Sequence, residues 1–594
     1  MLGINKVKNN TKPVGKTTSG QVFAAKTQQR LAKLFLGTPI VKAVMIISLP
    51  SMIMSLMVAL YTFSDQIMMA NLIPGFHKFE TYFNQHSSIT YSDLINEMVK
   101  LNKIPGINLT IYDSKIIVRN AVADSAPITV FLIASTLLIG NGTSINFSRA
   151  NGKGDLDRAQ KVWATGFYSN LTWGVIVMIS LFALCVPIIQ LENGNPLAQL
   201  EQVKDKIVQV KGQETYNNIH NLYSEANNWI LSYARNFSFI LIGGLLFNMF
   251  DLFFSLLIIT EGKQKMVVFA AVVSNVVNII LDFIFIYYAQ LAMVGGAIAT
   301  VIGWSFNCSW YVLQIWLMNK KNDTCITFSY LNFKKLHWDW KLIQQIFFNG
   351  LASFLRNVSM GIAVWWQLFM FAHLVIPYAT TGGQAAASIT NFYGAVNPIY
   401  NLFFPVILGT IQGSRIMCSY LHGARNFKRF RQAYWVAMMI GFVYGLSVLL
   451  IIGIGLNKYF LGFFNIDLGE KQNQIASLML LIMLAQLPVY AFTVGGQVIF
   501  QATSRSVNSC VCALMQGIFC NIPVSLVMAG ISISISNEYL FLWTPLLVMF
   551  CSSTIILIWT IWYMKKYFSD DILSWKIKTM QSRGWFDPAR IKSN

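Results

Sequence analysis

Twelve runs of mainly apolar residues recur along the chain, each about 20 residues or longer and so able to carry a helix across about 30 Å of hydrocarbon. They lie near 43–72, 125–147, 162–190, 235–260, 264–289, 294–318, 343–373, 384–413, 432–457, 474–502, 507–531 and 539–564. An all-α polytopic membrane protein of twelve spans is predicted. Composition agrees: 55% of the 594 residues are apolar and only 11% charged, against about 25% charged in soluble domains. A soluble enzyme is therefore excluded.

The net charge of +20 would suggest nucleic acid binding in a soluble chain. In an apolar chain it reports orientation, because cytoplasmic loops collect Lys and Arg. Residues 1–42 carry eight basic residues and no acid. Alternating loops from that side hold 32 of the 44 Lys and Arg, and the other side 11. Both termini are predicted cytoplasmic in the plasma membrane, with the lipid bilayer as partner and no nucleic acid. No secretory signal precedes the first span. The eight cysteines fall mostly inside apolar runs without histidines at metal-ligand spacing, which reads as small buried hydrophobes.

The predicted order is a basic N-terminal segment (1–42), an N-lobe of six spans (43–318), a cytoplasmic linker (319–342), a C-lobe of six spans (343–564) and a basic tail (565–594). Two polar insertions, 74–124 and 191–234, interrupt the N-lobe on the extracytoplasmic side. They are expected to meet as a small cap. Residues 110–118 read as a hairpin around Asp113 and Ser114, making that cap α/β. A weak repeat links the halves: Ser148 to Gly152 with Arg158 aligns with Ser419 to Gly423 with Arg429, and Gly142 with Gly413, all 271 residues apart. Six spans per unit makes the duplication parallel.

Charges inside hydrocarbon cost about 3 kcal/mol or more, which makes them functional candidates. The acids within spans are Asp65, Asp251 and Asp282; the last six spans contain none. Asn278 lies one helical turn before Asp282 and shares its face, and Thr300 opens the next span. With Asp65 these residues offer oxygens for a hard monovalent cation or a proton. Pro50, within the first span, removes a backbone hydrogen bond and favours a kink. Arg356 sits near mid-membrane, either as counter-charge to an anionic substrate group or paired with Asp251. Trp365, Trp366, Tyr393, Tyr400 and Tyr490 are packing or interface residues first, and cavity walls second.

At Ser48–Leu–Pro50 with Tyr61 and Asp65, at Gly152–Lys–Gly–Asp155 with Ala159, at Asn278–Ile–Ile–Leu–Asp282 and at Gly295–Gly–Ala–Ile–Ala–Thr300, the chain resembles the multidrug and toxic-compound extrusion (MATE) family. The likeness covers essentially residues 35–565. It implies two six-helix lobes in a V about a pseudo-two-fold axis, with export driven by Na⁺ or H⁺. It also implies, from the prokaryotic branch with an N-lobe site, coupling at Asp65, Asn278, Asp282 and Thr300, a hinge at Pro50, and Tyr61 facing the cavity. Asp251 and Arg356 are further cavity candidates. Arg356 stands where many relatives have a glutamate, and both insertions are longer than usual.

The expected function is a secondary antiporter exporting amphipathic or cationic small molecules; the alternative is a flippase for a lipid-linked precursor or anionic lipid. No catalytic residue, no organic cofactor and no metal beyond Na⁺ are expected, and the chain is expected to act as a monomer.

Overall fold

Buried among other helices or facing lipid, a backbone must satisfy its own hydrogen bonds, so each apolar run folds as a helix. The computed structural model describes residues 29–568 apart from 72–76, 105, 106, 108, 194–196, 198, 199, 202, 322, 332–338, 376–383 and 463–473; side chains of 65–71, 192, 329, 330, 372, 373 and 384–395 are also outside the description. The first half holds α1 (Ile40–Asn71), α2 (Lys78–His86), α3 (Tyr91–Leu101), α4 (Ser114–Lys153), α5 (Leu156–Glu192), α6 (Lys204–Gly243), α7 (Leu245–Thr260), α8 (Gln264–Asp282) and α9 (Ala292–Lys320). The second half holds α10 (Trp340–Met370), α11 (Gln384–Gly423), α12 (Phe427–Val448), α13 (Gln474–Ala502), α14 (Ser506–Leu514), α15 (Asn521–Ser534) and α16 (Thr544–Phe568).

Among the described residues ten helices are long and apolar enough to cross a membrane, or eleven if α6 and α7, bent by 46° at their junction, form one span. The expected seventh span is α10, with 31 residues. It has the length but not the apolarity, because Asn349, Ser353, Arg356 and Ser359 occupy its buried face. Its polar stripe is covered by protein and not by lipid.

The α/β cap is corrected to a helical one: the described residues contain no strand. Residues 114–118 begin α4. Asp113 caps it, accepting from Ile116 N–H at 2.7 Å, and Ser114, Ile117, Val118 and Ala121 are buried at helical spacing. An N-cap followed by a 3.6-residue period outweighs the β-branched composition of this stretch. The two insertions do meet. Phe79, Phe83, Leu94 and Met98 of α2 and α3 share one core with Ile207, Tyr216, Ile219 and Tyr223 of α6. Tyr223 donates to Thr110 O at 3.0 Å, and burial pushes its phenol well above its usual pKa. The second insertion is continuous with its span, since α6 runs through a kink at Gly212, where φ is +85°.

The halves pack along α1 with α11 and α4 with α10, and glycines set how closely. A Cβ on Gly350 would stand 1.6 Å from Leu138 O, and one on Gly142 1.9 Å from Ile346 O. Side-chain-free positions of this kind let helices touch backbone to backbone. The repeat has a structural counterpart. A Cβ on Gly152 would meet Tyr420 O at 2.2 Å, and one on Gly423 would meet Arg149 O at 2.4 Å. The two contacts are equivalent under the 271-residue shift, since Gly152 aligns with Gly423 and Arg149 with Tyr420, as a duplicated arrangement predicts.

Loops predicted on the basic side lie together on one face. Arg30 donates to Glu261 O at 2.9 Å and pairs with Asp323 at 3.4 Å. Glu261 is fully buried; it accepts from Cys325 N–H at 2.7 Å and pairs with Lys263 at 3.3 Å. Burial, reinforced by the Glu261 carboxylate, raises the Cys325 thiol well above its usual pKa. Glu261→Ala would leave Lys263, among the described residues, with Asp323 as its one remaining ion-pair partner, at 3.6 Å, and the buried Cys325 N–H without its acceptor; it is expected to cost about 3 kcal/mol, read as a lower thermal midpoint of the purified protein. All eight cysteines are free, and five of them are buried.

Candidate functional site

Ser274, Asn278 and Asp282 succeed one another at four-residue intervals on α8, which places them in one stripe. All three are buried, Asp282 completely. Immediately after Asp282 the helix widens into a π-helical turn, Phe283–Tyr288, a distortion common at functional sites. The stripe faces α9. Ser274 Oγ donates to Gly303 O at 2.9 Å, and a Cβ on Gly296 would lie 3.8 Å from Asp282 Oδ1. Thr300, half-buried, falls between those two glycines, one turn from Gly296. Asn278, Asp282 and the helix face bearing Thr300 are thus brought together.

Neither amide atom of Asn278 has a hydrogen-bond partner, although the residue is only 3% exposed. The Nδ2 of neighbouring Asn275 is orphaned as well. An unsatisfied buried polar group costs about 1–3 kcal/mol, and native proteins keep such groups where something else uses them. One carboxylate among neutral oxygens matches a proton or a monovalent cation better than a divalent metal. Among the described residues no group of three or more His, Cys, Asp or Glu is placed to hold a metal ion.

Helix α1 packs against α8 and α9 and carries Pro50, Tyr61 and Asp65. It continues through Pro50 as helix, and Tyr61 is half-buried. The side chain of Asp65 lies outside the described residues. Asp251, on α7, accepts from Asn307 Nδ2 at 3.3 Å. Asn307 is seven residues beyond Thr300, about 10 Å along α9, so Asp251 is a neighbouring spot and not part of the Asn278–Asp282 cluster. Of the aromatic candidates, Tyr490 is core, its ring 4.5 Å from that of Phe404. Trp366 donates to Ser525 Oγ at 2.7 Å, Tyr400 is buried and Trp365 exposed on the outside of the helix. Tyr393 lies outside the described side chains.

Arg356 does not pair with Asp251. It is 8% exposed and donates to Gln497 Oε1 at 3.0 Å. A second arginine, Arg415, follows the apolar run 384–413, whose end predicts a loop there. Arg415 is in fact inside α11, which continues to Gly423, and is 4% exposed. It donates to Ser353 Oγ and Gln501 Oε1, both at 3.1 Å. The signal that would have found it is the repeat: Ser414, Arg415 and Ser419 continue the pattern that starts at Gly413, well past the last long apolar stretch.

On the basic face, between the two halves, a cavity of about 700 Å³ is lined by Arg149, Lys153, Arg158 and Lys341 together with Asn349, and by no acid. Arg149 closes one side, donating to Ala502 O at 2.6 Å and to Ser504 Oγ.

The sequence model of the MatE family matches residues 360–527. An uncharacterized protein from Mycoplasmoides gallisepticum, a homolog of MG447, is 32% identical over 512 residues, covering 83% of this chain and 84% of its own. Uncharacterized protein MG447 of Mycoplasma genitalium is 25% identical, covering 84% and 86%. Among solved structures, an outward-facing multidrug resistance MATE transporter of the MOP superfamily is 18% identical with a TM-score of 0.66, covering 93% of this chain and 99% of that one. A MOP superfamily transporter from Pyrococcus furiosus, whose binding pocket is described as of reverse polarity, is 19% identical with a TM-score of 0.62 over the same shares. The long helices, the α8–α9 cluster and these likenesses converge: the chain belongs to the MATE family of multi-pass membrane transporters.

Proposed function

We propose that the protein is a secondary active antiporter that moves amphipathic small molecules out across the plasma membrane in exchange for H⁺ or Na⁺. The observation that carries this reading is the pair Asn278 and Asp282, a fully buried carboxylate beside an amide whose hydrogen-bonding atoms are unused. Cation binding there, with Asp65 and Thr300 completing the oxygen set, favours one arrangement of the two six-helix lobes and substrate the other. Tyr61 and Asp251 face the substrate path, and Pro50 gives α1 its hinge. The basic face is cytoplasmic, as the distribution of Lys and Arg supports, and the insertion cap is external. One chain suffices. A second reading, a flippase for a lipid-linked precursor or anionic lipid, is favoured by one observation: Arg356 is buried and, among the described residues, has no carboxylate within 4 Å.

Carbodiimide labelling tests the coupling site. A protonated carboxyl in an apolar setting gives its proton to a hydrophobic carbodiimide and adds through oxygen to its central carbon, so Asp282 or Asp65 should be labelled, and labelling should fall as pH rises. If Na⁺ is the coupling ion, added Na⁺ should protect at constant pH. Labelling confined to other residues and indifferent to both cations would reject the site.

A further inference from the structure

The second half of the membrane domain contains two buried positive charges and almost nothing to balance them. Between Trp340 and Phe568 the only acids are Asp467, Glu470 and Glu538, and among the described residues neither Arg356 nor Arg415 has a carboxylate within 4 Å. Their partners are neutral: Gln497 for Arg356, and Gln501 with Ser353 for Arg415. Ser353, which accepts from Arg415, lies one turn before Arg356 on α10, so the neighbouring charge is a like one. Both Nε atoms are buried with no hydrogen-bond partner. A guanidinium carries five donors and is weakened severely by loss of its counter-charge, so two such groups side by side, each with an idle donor, are arranged for an anion.

A chain of hydrogen bonds connects Arg415 to the basic face. Asn349, 2% exposed, lines the 700 Å³ cavity, and its backbone oxygen accepts from Gln501 Nε2 at 3.0 Å. Gln501 in turn accepts from Arg415 through Oε1. One residue therefore separates the cavity wall from the arginine. The cavity mouth carries Arg149, Lys153, Arg158 and Lys341, a charge pattern that concentrates anions and repels cations.

We propose that Arg356 and Arg415, reached through this basic vestibule, form a binding site for a phosphate-bearing headgroup on the transported molecule. Forked donors suit phosphate oxygens, and Gln497 and Gln501 hold the forks in place. The proposal rests on the second reading above and deepens it, adding Arg415 and the vestibule, and it holds whether or not Asp282 binds a cation. It names the polar end of the substrate and leaves the apolar remainder to the rest of the path.

Binding is measured on the full-length protein, by thermal midpoint and titration, with three probes: inorganic phosphate, glycerol 3-phosphate, and phosphatidate in nanodiscs of otherwise pure phosphatidylcholine. Chloride at equal ionic strength is the control. The parent should be stabilised by phosphate beyond chloride. Arg356→Gln and Arg415→Gln, which keep a hydrogen-bond donor but lose the charge, should each weaken binding about 10–100-fold. Lys153→Gln with Lys341→Gln, both on the exposed mouth, should weaken it several-fold and flatten its salt dependence. Protection by phosphatidate with competition by inorganic phosphate assigns the site to a lipid headgroup; binding of glycerol 3-phosphate without phosphatidate assigns it to a soluble ester. A phosphate response no larger than chloride in the parent overturns the proposal, whatever the variants do. So does an arginine variant that melts lower without ligand yet keeps the full phosphate response, because the arginines would then be structural.

Discussion

Asp282→Asn is expected to abolish gradient-driven transport, lowering the initial rate about 100-fold or more, to the level of protein-free vesicles. The substitution keeps the shape of the side chain, exchanges one acceptor oxygen for an amide donor and removes its ability to ionise. Asp282 is completely buried, and a charged carboxylate in that setting is held only if a cation or donor neutralises it. If coupling is the purpose of that charge, losing it disconnects the gradient from the cycle without disturbing the fold. The thermal midpoint should therefore stay level or rise, since functional charges are kept at a cost in stability. Asn278→Ala should act in the same direction but less, about 10-fold, because it removes a neutral ligand and not the charge. A variant of Asp282 that transports normally but melts much lower would make the residue a structural one.

Gly350→Ala is expected to have the largest effect on folding. Its new Cβ would sit 1.6 Å from Leu138 O, and the obstacle is backbone, so no rotamer change relieves it. Helices α4 and α10 would have to separate along the contact between the two halves, costing about 3 kcal/mol, the upper end for overpacked cores, and lowering both yield and thermal midpoint. Gly243→Ala is the internal control. Nothing lies within 4 Å of its Cβ position, so the change should be neutral or slightly stabilising through helix propensity.

How much of this the sequence revealed depends on whether local pattern or tertiary burial decided the outcome. Apolar run length fixed most spans, because hydrocarbon thickness sets helix length directly. The spacing of Asn278 and Asp282 put them on one face, and the structure adds what spacing alone does not hold: an opposing stripe on α9 and an amide left without partners. Asp251 and Arg356 were each visible as charges out of place, yet their partners, Asn307 and Gln497, are 56 and 141 residues away and carry no sequence signature.

Arg415 lies beyond the predicted end of its span for a physical reason. A charge after an apolar run looks like a loop when lipid is the expected surrounding, but the end of α11 is covered by protein. The same logic lowers the apolarity of α10, whose polar face touches other helices. In the cap, β-branched residues at 110–118 suggested strands, and the capping oxygen of Asp113 decided for helix. Gly142 and Gly413 stood out only as a short repeat, and the backbone contacts at Gly152 and Gly423 give that repeat its meaning.

The most direct test of the central claim is transport by the purified protein in liposomes, under an imposed pH gradient and, separately, an imposed Na⁺ gradient. Ethidium and a headgroup-labelled phosphatidate serve as parallel probes. At least one gradient should drive movement of at least one probe, and Asp65→Asn combined with Asp282→Asn should stop it. Movement of neither probe under either gradient, or a double variant that transports as well as the parent, would contradict cation-coupled transport through the first half of this chain.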